Sequence, residues 1–397
     1  LKAEGCLLNR VLPSHGIYCF LLALTPILNE YDFAGLPIRL GMFILLIAGV
    51  ISLPNASFGH RRFILIITVM TLAFIGCLVL SGPSIDFLQR FLNISVCIFI
   101  ISLLSQTVTF NTLRSPLLIV LSAASFGLFC QVLMFYYSGS FLSLAFDNVL
   151  FSQHQPESFN ITTSNSGTDV YRPSSFFSEA SRFGLFLGFS LHFITIKMDS
   201  LSQLVRIYTL GFILAALSTS GTAMLLVTVS LLFKVTTFDR NSSKSVLLFI
   251  SLFVGFGLSF TSIGYVFERF LVSGGRLFNG INAFNSLGDF EYFFGVGLGH
   301  GKELMSNYDF PFISGLPLAL VELGLVGASL LGVAILAFIY SLKSTLARQF
   351  VYIWVLCLGF EQVLFGFWMV LPIVFAIIVE RGERDVNYAV NCNTNKG

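Results

Sequence analysis

Ser314 to Tyr340 reads SGLPLALVELGLVGASLLGVAILAFIY, with one charged residue, Glu322. About 20 helical residues at ~1.5 Å each cross the ~30 Å apolar core of a bilayer. This stretch is longer than that. Backbone in lipid must satisfy its own N–H and C=O groups, which makes the stretch a transmembrane helix. Working outward, apolar segments recur at 15–29, 36–53, 63–81, 91–110, 116–137, 177–196, 204–218, 220–233, 245–262, 350–361 and 364–379. With 314–340 they make about twelve spans. The pair 204–218 and 220–233 is short and closely spaced, as is the pair 350–361 and 364–379. Each pair reads either as a tight hairpin or as one long helix.

The composition agrees. Of 397 residues, 55% are hydrophobic, 11% are charged and 45 are Phe, with a mean hydropathy of +0.87. A soluble domain carries about 25% charged residues, so there are too few here to coat a water-facing surface. Disordered, collagen-like, coiled-coil and disulfide-scaffold classes fail on the same count. The expected fold is an all-α polytopic membrane protein, with residues 1–397 as one integral membrane domain.

Charge asymmetry orients the chain. With both termini in the cytoplasm, 15 of the 22 Lys and Arg residues fall on inner loops. The other seven are outer: Arg39, Arg90, Arg172, Arg182, Arg269, Arg276 and Lys302. Acidic residues run the other way, six inside and 14 outside or near it. The outer basic residues gather mainly on two long segments, 138–176 and 263–313. Segments of that length on a compact protein are usually functional or disordered. The first passes from a polar stretch, SQHQPESFNITTSNSGTD, to the aromatic and charged YRPSSFFSEASRFG. The second contains ERF, GGR, GVGLGHGK and NYDFPF.

Cys6, Cys19, Cys77, Cys97, Cys130, Cys357 and Cys392 all lie in spans or at cytoplasmic ends. No disulfide is expected in the outer segments, and no pair has metal-ligand spacing. No cleavable signal peptide is expected, because no small-residue cleavage pattern follows the first span. There is no internal repeat of the kind built into transporters with inverted halves. No basic block suits nucleic acid.

Tyr171 to Gly184, YRPSSFFSEASRFG, resembles the outer-loop motif of O-antigen polymerases of the Wzy type. In that family an Arg, small and aromatic residues and a Glu lead into a membrane helix. The matching residues are Arg172, Pro173, Ser174, Ser175, Phe176, Phe177 and Glu179. The family pattern continues with Pro where this chain has Ala180. Leu214–Leu226 (LAALSTSGTAMLL) resembles the small-residue turn between two family helices. Ser273–Gly301 resembles the second outer loop, where an Arg precedes a short helix and a G-x-G turn. Ser314–Gly327 resembles the re-entry helix shared with O-antigen ligases. The ligases carry a His at the position of Ile313, so the polymerase is favoured over the ligase. The resemblance spans about 170 to 330.

The resemblance implies a GT-C type membrane glycosyltransferase in a bacterial inner membrane. Such an enzyme joins undecaprenyl-diphosphate-linked oligosaccharides on the periplasmic face, without a cofactor or metal. The implied partners are those carriers, membrane lipids, a chain-length regulator and a flippase of the same pathway. The rivals are an O-antigen ligase, another lipid-phosphate glycosyltransferase, or a flippase of lipid-linked oligosaccharide.

This chemistry must hold two diphosphates, stabilise charge on the departing one and orient a sugar hydroxyl. Arg suits the first two tasks, because its planar fork grips phosphate bidentately and keeps its charge when poorly solvated. Fixed positive charge aimed at developing negative charge is usually the largest catalytic contribution. Arg172 and Arg276 are the leading candidates for that role. Arg182 is a second phosphate ligand or a snorkelling anchor. Arg269, beside Glu268, is a substrate contact or half of an ion pair; Arg39 and Arg90 read as interfacial anchors. Lys302 follows the Gly-rich turn and reads as solvated.

Glu179 is the candidate for orienting or deprotonating the acceptor hydroxyl; the other reading is a carboxylate at a helix N-terminus favoured by the macrodipole. His300 in GVGLGHG and Ser314 are candidate substrate contacts, with His300 also readable as a turn residue. Two acidic pairs, Glu30-Tyr31-Asp32 and Asp289-Phe290-Glu291, admit a metal-ligand reading or follow simply from topology. Glu322 and Glu361 lie within spans, where charge is costly and often functional.

Overall fold

In the computed structural model the described residues are 13–33, 39–52, 88, 91–92, 95–96, 99, 108–144, 151–153, 161–163, 169–237, 276–301, 304, 314–361 and 367–394. The expected spans at 63–81 and 245–262, and most of 91–110, lie outside them. Among the described residues the chain is predominantly helical. The helices are α1 (Pro13–Leu28), α2 (Leu40–Ser52), α3 (Phe110–Ser138), α4 (Ala180–Thr195), α5 (Leu201–Leu217) and α6 (Gly221–Thr237). They continue with α7 (Arg276–Asn285), α8 (Asp289–Phe294), α9 (Gly315–Ser341), α10 (Thr345–Leu358) and α11 (Phe367–Thr394).

Two short antiparallel ribbons add to the expected all-helical chain. β1 (Tyr31–Phe33) pairs with β2 (Phe151–Gln153), Tyr31 facing Gln153. β3 (Ile161–Thr163) pairs with β4 (Asp169–Tyr171), Ile161 facing Tyr171. The first ribbon ties the end of α1 to the long segment 138–176.

Among the described residues two helical stretches are long and apolar enough to cross a membrane, α3 with 29 residues and α9, which bends at Gly324, with 27. At ~1.5 Å per residue α3 exceeds a bilayer core. Neither is a buried core helix. α3 exposes Ile119, Phe126, Leu133, Tyr136 and Tyr137, and α9 exposes Leu330, Val333, Leu336 and Tyr340. Apolar stripes of this kind mark a membrane or partner surface rather than a wet one. Capping sets the limits of α3. Thr109 and Thr112 form a reciprocal capping box at its start, and Gly139, at φ 64°, closes its end.

The centre is α4. Every residue in it is buried except the half-buried Arg182, as expected of a helix apolar all round. Gly184 and Gly188 lie one turn apart on the face toward α6. A Cβ on Gly184 would stand 2.7 Å from the Ala223 backbone nitrogen, and one on Gly188 2.4 Å from Leu226 Cβ. Glycine at these positions lets the two helices approach closely. α3, α5 and α11 also pack on α4. His192, Thr195, Tyr208 and Ser230 form a hydrogen-bonded string between α4, α5 and α6, polar groups satisfied inside an apolar bundle.

α5 and α6 are separate helices joined through Ser218–Ser220, with Thr219 at φ 49°. α10 and α11 are also separate. α11 continues well past the apolar segment expected to end near 379, into the polar RGERDVNYAVN stretch.

α9 is not continuous. Gly324 has φ 66° and ψ −177°, which breaks it into two helical pieces. The GVG turn fills the break: Val296 N–H donates to Val321 O at 3.0 Å, and Gly297 N–H donates to Glu322 O at 3.1 Å. These bonds satisfy carbonyls that the break strips of helical partners. α7 and α8 pack over the first piece, closing a small second core of Ala283, Phe284, Leu318 and Val321.

Candidate functional site

At one end of the bundle, called the Glu30 end below, the motif segment is locked in place residue by residue. Ser175 sits at φ 59°, a conformation most side chains avoid. The buried Gln131 of α3 holds it there: its Oε1 accepts Ser175 N–H at 2.7 Å, and its Nε2 donates to Ser175 O at 3.2 Å. Ser175 Oγ also donates to Ala124 O at 2.6 Å. The PSS turn is thereby fixed to α3. Upstream, Tyr171 stacks on Phe135 with ring centroids 4.5 Å apart, and its carbonyl accepts from Thr219 Oγ1 in the α5–α6 turn. Arg172, half-buried, leaves this anchored point.

Downstream, Ser178 Oγ donates to Glu30 Oε2, binding the approach to α4 onto the end of α1. Glu179 is the N-cap residue of α4 with extended backbone. Its carboxylate takes the Ser181 hydroxyl at 2.8 Å rather than a main-chain N–H of the helix. It therefore stands at the positive end of the macrodipole without closing the cap. Arg182, in the same first turn, is half-buried.

Arg39 comes into this group from the corner between α1 and α2. Its backbone bridges to Asp32, and Nη1 donates to Asn29 O at 3.3 Å. Burial pushes its guanidinium down from the usual arginine range; Glu30 raises it, Arg182 lowers it further and Asp32 raises it again. Two guanidiniums and two carboxylates thus lie within electrostatic reach of one another. Glu30 is buried, and its second oxygen, Oε1, has no hydrogen-bond partner. The neighbouring Asn29 Oδ1 is also buried and without one.

Further contacts link the remaining helix ends. Thr222 Oγ1 donates to Glu361 Oε1 at 2.6 Å, and Gly315 N–H donates to Glu361 O at 2.9 Å. Glu361, read from sequence as a charge inside a span, instead joins the starts of α6 and α9.

No family model matches the chain, and no curated protein or solved structure is significantly similar to it. The site is therefore read from its own chemistry.

Glu179 and Arg182 share one helical turn, and Arg172 lies on the same clamped segment. Arg276 is the first residue of α7, the helix that packs with α8 on the first piece of α9. Ser314 is the N-cap of α9, fully buried, and its hydroxyl has no partner. His300 is half-buried in the turn after GVGLG, with its N–H on Gly297 O at 3.2 Å. Glu322 is buried, its Oε1 2.9 Å from where a Cβ on Gly301 would lie. Asp289 and Glu291 are exposed in the first turn of α8, and Glu291 reaches back to Gly288 N–H at 3.4 Å. This is helix capping. Arg269, Arg90 and Lys302 lie outside the described residues.

Sequence reasoning missed the Gln131 clamp, the Ser178–Glu30 bond and the placement of Arg39. Glu30 and Asp32 were visible as an acidic pair, and Arg39 as an outer arginine in the same short loop. Nothing in the sequence joined that loop to the start of α4.

Proposed function

We propose that this protein is a membrane glycosyltransferase of the O-antigen polymerase kind, which polymerises oligosaccharide repeat units carried on undecaprenyl diphosphate. The observation that carries the reading is the clamped segment Arg172–Arg182, which presents Arg172, Glu179 and Arg182 at one end of an apolar helical bundle.

In this mechanism Arg172 and Arg276 grip the diphosphates with Arg182 as a further phosphate ligand, and Arg269, His300 and Ser314 contact the remainder of the substrate. A hydroxyl at the non-reducing end of the incoming unit attacks the anomeric carbon of the growing chain. The new C–O bond forms as the bond from that carbon to the phosphate oxygen breaks. The electron pair leaves with undecaprenyl diphosphate, where arginine stabilises the developing charge. The hydroxyl proton passes to Glu179. A diphosphate is an excellent leaving group, so this base adds less than the arginines do.

About twelve spans in a bacterial inner membrane, cytoplasmic termini and a periplasmic site complete the proposal, with a flippase and a chain-length regulator acting beside it. The basic inner loops and the outer position of the motif arginines support this orientation.

The test is incubation of the purified protein with one defined undecaprenyl-diphosphate-linked repeat unit. A ladder of products spaced by one repeat is expected, and no extension beyond the input overturns the reading. The ladder is expected to persist in EDTA. Loss restored by magnesium or manganese would transfer the chemistry to an acidic pair such as Glu30 and Asp32.

A further inference from the structure

The Glu30 end holds an arrangement that the motif segment does not account for. Arg39 and Arg182 come from different parts of the chain, the α1–α2 corner and the first turn of α4, yet the Ser178–Glu30 bond and the Arg39 Nη1–Asn29 O bond gather both elements at the end of α1, within electrostatic reach of one another. Like charges brought together out of bulk water raise the energy. Glu30 and Asp32 offset part of that cost. Glu30 and Asn29 each retain a buried acceptor, Oε1 and Oδ1, that no donor satisfies. A buried acceptor without a donor costs about 1–3 kcal/mol, and native structures leave few of them. Glu30 and Asp32 balance the two guanidiniums in charge, so what the corner is short of is hydrogen-bond donors for two buried oxygens. A sugar carried on a phosphate brings hydroxyl donors to those oxygens and phosphate oxygens to the guanidinium N–H groups.

We infer that Arg39 and Glu30 belong to the substrate site: Arg39 completes a two-guanidinium clamp with Arg182 on a phosphate of the lipid carrier, and Glu30 Oε1 accepts a hydroxyl of the sugar attached to it. This rests on the proposed function and adds to it a phosphate ligand outside the motif segment and a sugar-contacting carboxylate. Ser178 keeps Glu30 in place through Oε2, leaving Oε1 for the ligand. Asn29, whose carbonyl accepts from Arg39, adds its amide oxygen as a second acceptor.

The full-length protein in detergent is titrated with two probes, bare undecaprenyl diphosphate and undecaprenyl diphosphate carrying a single hexosamine. Arg39→Ala is expected to weaken both by at least about tenfold, as for loss of a charge-assisted contact. Arg39→Lys keeps the charge without the fork and is expected to fall between. If Arg39→Ala does not fold, Arg39→Lys decides alone, and wild-type affinity for the bare carrier overturns the clamp. Glu30→Gln is expected to weaken the sugar-bearing probe several-fold and leave the bare carrier unchanged or tighter. Equal weakening of both probes would make Glu30 a purely structural residue and overturn its assignment. If wild type binds neither probe, the proposed function falls. If wild type binds both and the variants do the same, this inference alone falls.

Discussion

The two ends of the bundle treat their charges differently. At the opposite end from Glu30, buried or semi-buried charges are spent on neighbouring groups of the fold. Lys234 Nζ donates to Ile196 O at 3.0 Å, Arg348 Nε to Leu342 O at 2.8 Å, and Glu380 Oε2 accepts Ser344 N–H at 2.7 Å. Lys197 lies over the Phe110 ring, 4.9 Å from its centroid. Each interaction closes a helix end or a turn. At the Glu30 end, two arginines and two carboxylates lie within electrostatic reach of one another, and two acceptors lack donors. The far end keeps orphans of its own, Arg114 Nε and Gln349 Oε1, but its buried lysine and carboxylate are bonded to the main chain, whereas the buried Glu30 keeps one carboxylate oxygen without a partner. In an apolar bundle an incomplete polar cluster costs stability, so its retention points to a ligand.

The largest effect expected from this contrast is on activity. Arg182→Ala should lower the rate of product-ladder formation by about 10²-fold or more, the scale seen when one preorganised charge stabiliser is removed. Thermal unfolding in detergent should hardly move, because Arg182 is half-buried at a helix start. A variant that kept the ladder would erase the distinction between the ends.

A second test separates the two pieces of α9. At Gly324 a Cβ would meet Gly295 N at 2.4 Å, and φ is 66°. Gly324→Ala should therefore cost about 3 kcal/mol, through backbone strain and overpacking together. Gly332, beyond the break, has nothing within 4 Å of its Cβ position. Gly332→Ala should be neutral or stabilising by up to ~1 kcal/mol in the same unfolding assay.

These positions also mark what the sequence revealed. α3 and α9 were legible because length and hydropathy alone mark a stretch apolar enough to cross a membrane. The break at Gly324 was not. A single glycine among apolar residues is common in membrane helices, and only the docked Val296 and Gly297 explain this one. The hairpin between α5 and α6 stayed open because Ser218-Thr219-Ser220 lacks Pro and Gly, and Thr219 supplies the positive φ instead. At the site, the segment from Arg172 to Arg182 was readable from its residue types. Arg39 was read as an interfacial anchor, since its approach to Arg182 depends on how α1, α2 and α4 assemble. Residue chemistry within one segment is visible in sequence, whereas long-range electrostatic neighbours are set by packing.

Gln131 offers an intermediate effect. Gln131→Ala leaves Ser175 N–H and C=O without the clamp that holds its positive φ. A stability loss of about 2 kcal/mol is expected, with a fall in ladder formation as Arg172 and Glu179 lose their fixed placement. Gln131→Glu keeps the acceptor for Ser175 N–H but not the amide donor. It should therefore recover part of both quantities. Lost activity with unchanged stability would mean that Gln131 acts on substrate rather than on the turn.

The smallest effect should come from the end far from Glu30. Lys234→Met preserves most of the volume and the apolar stem, and it removes only the ammonium group. The Ile196 carbonyl loses its donor, and Asp199 loses a neighbouring positive charge. One buried acceptor without a partner costs about 1 kcal/mol, partly offset because a buried lysine no longer has to be desolvated. A slightly lower unfolding temperature is therefore expected, with a product ladder indistinguishable from wild type. An altered ladder would place substrate contacts at this end as well, and the bundle would have to be read as open from both sides, as a carrier requires and a one-faced transferase does not.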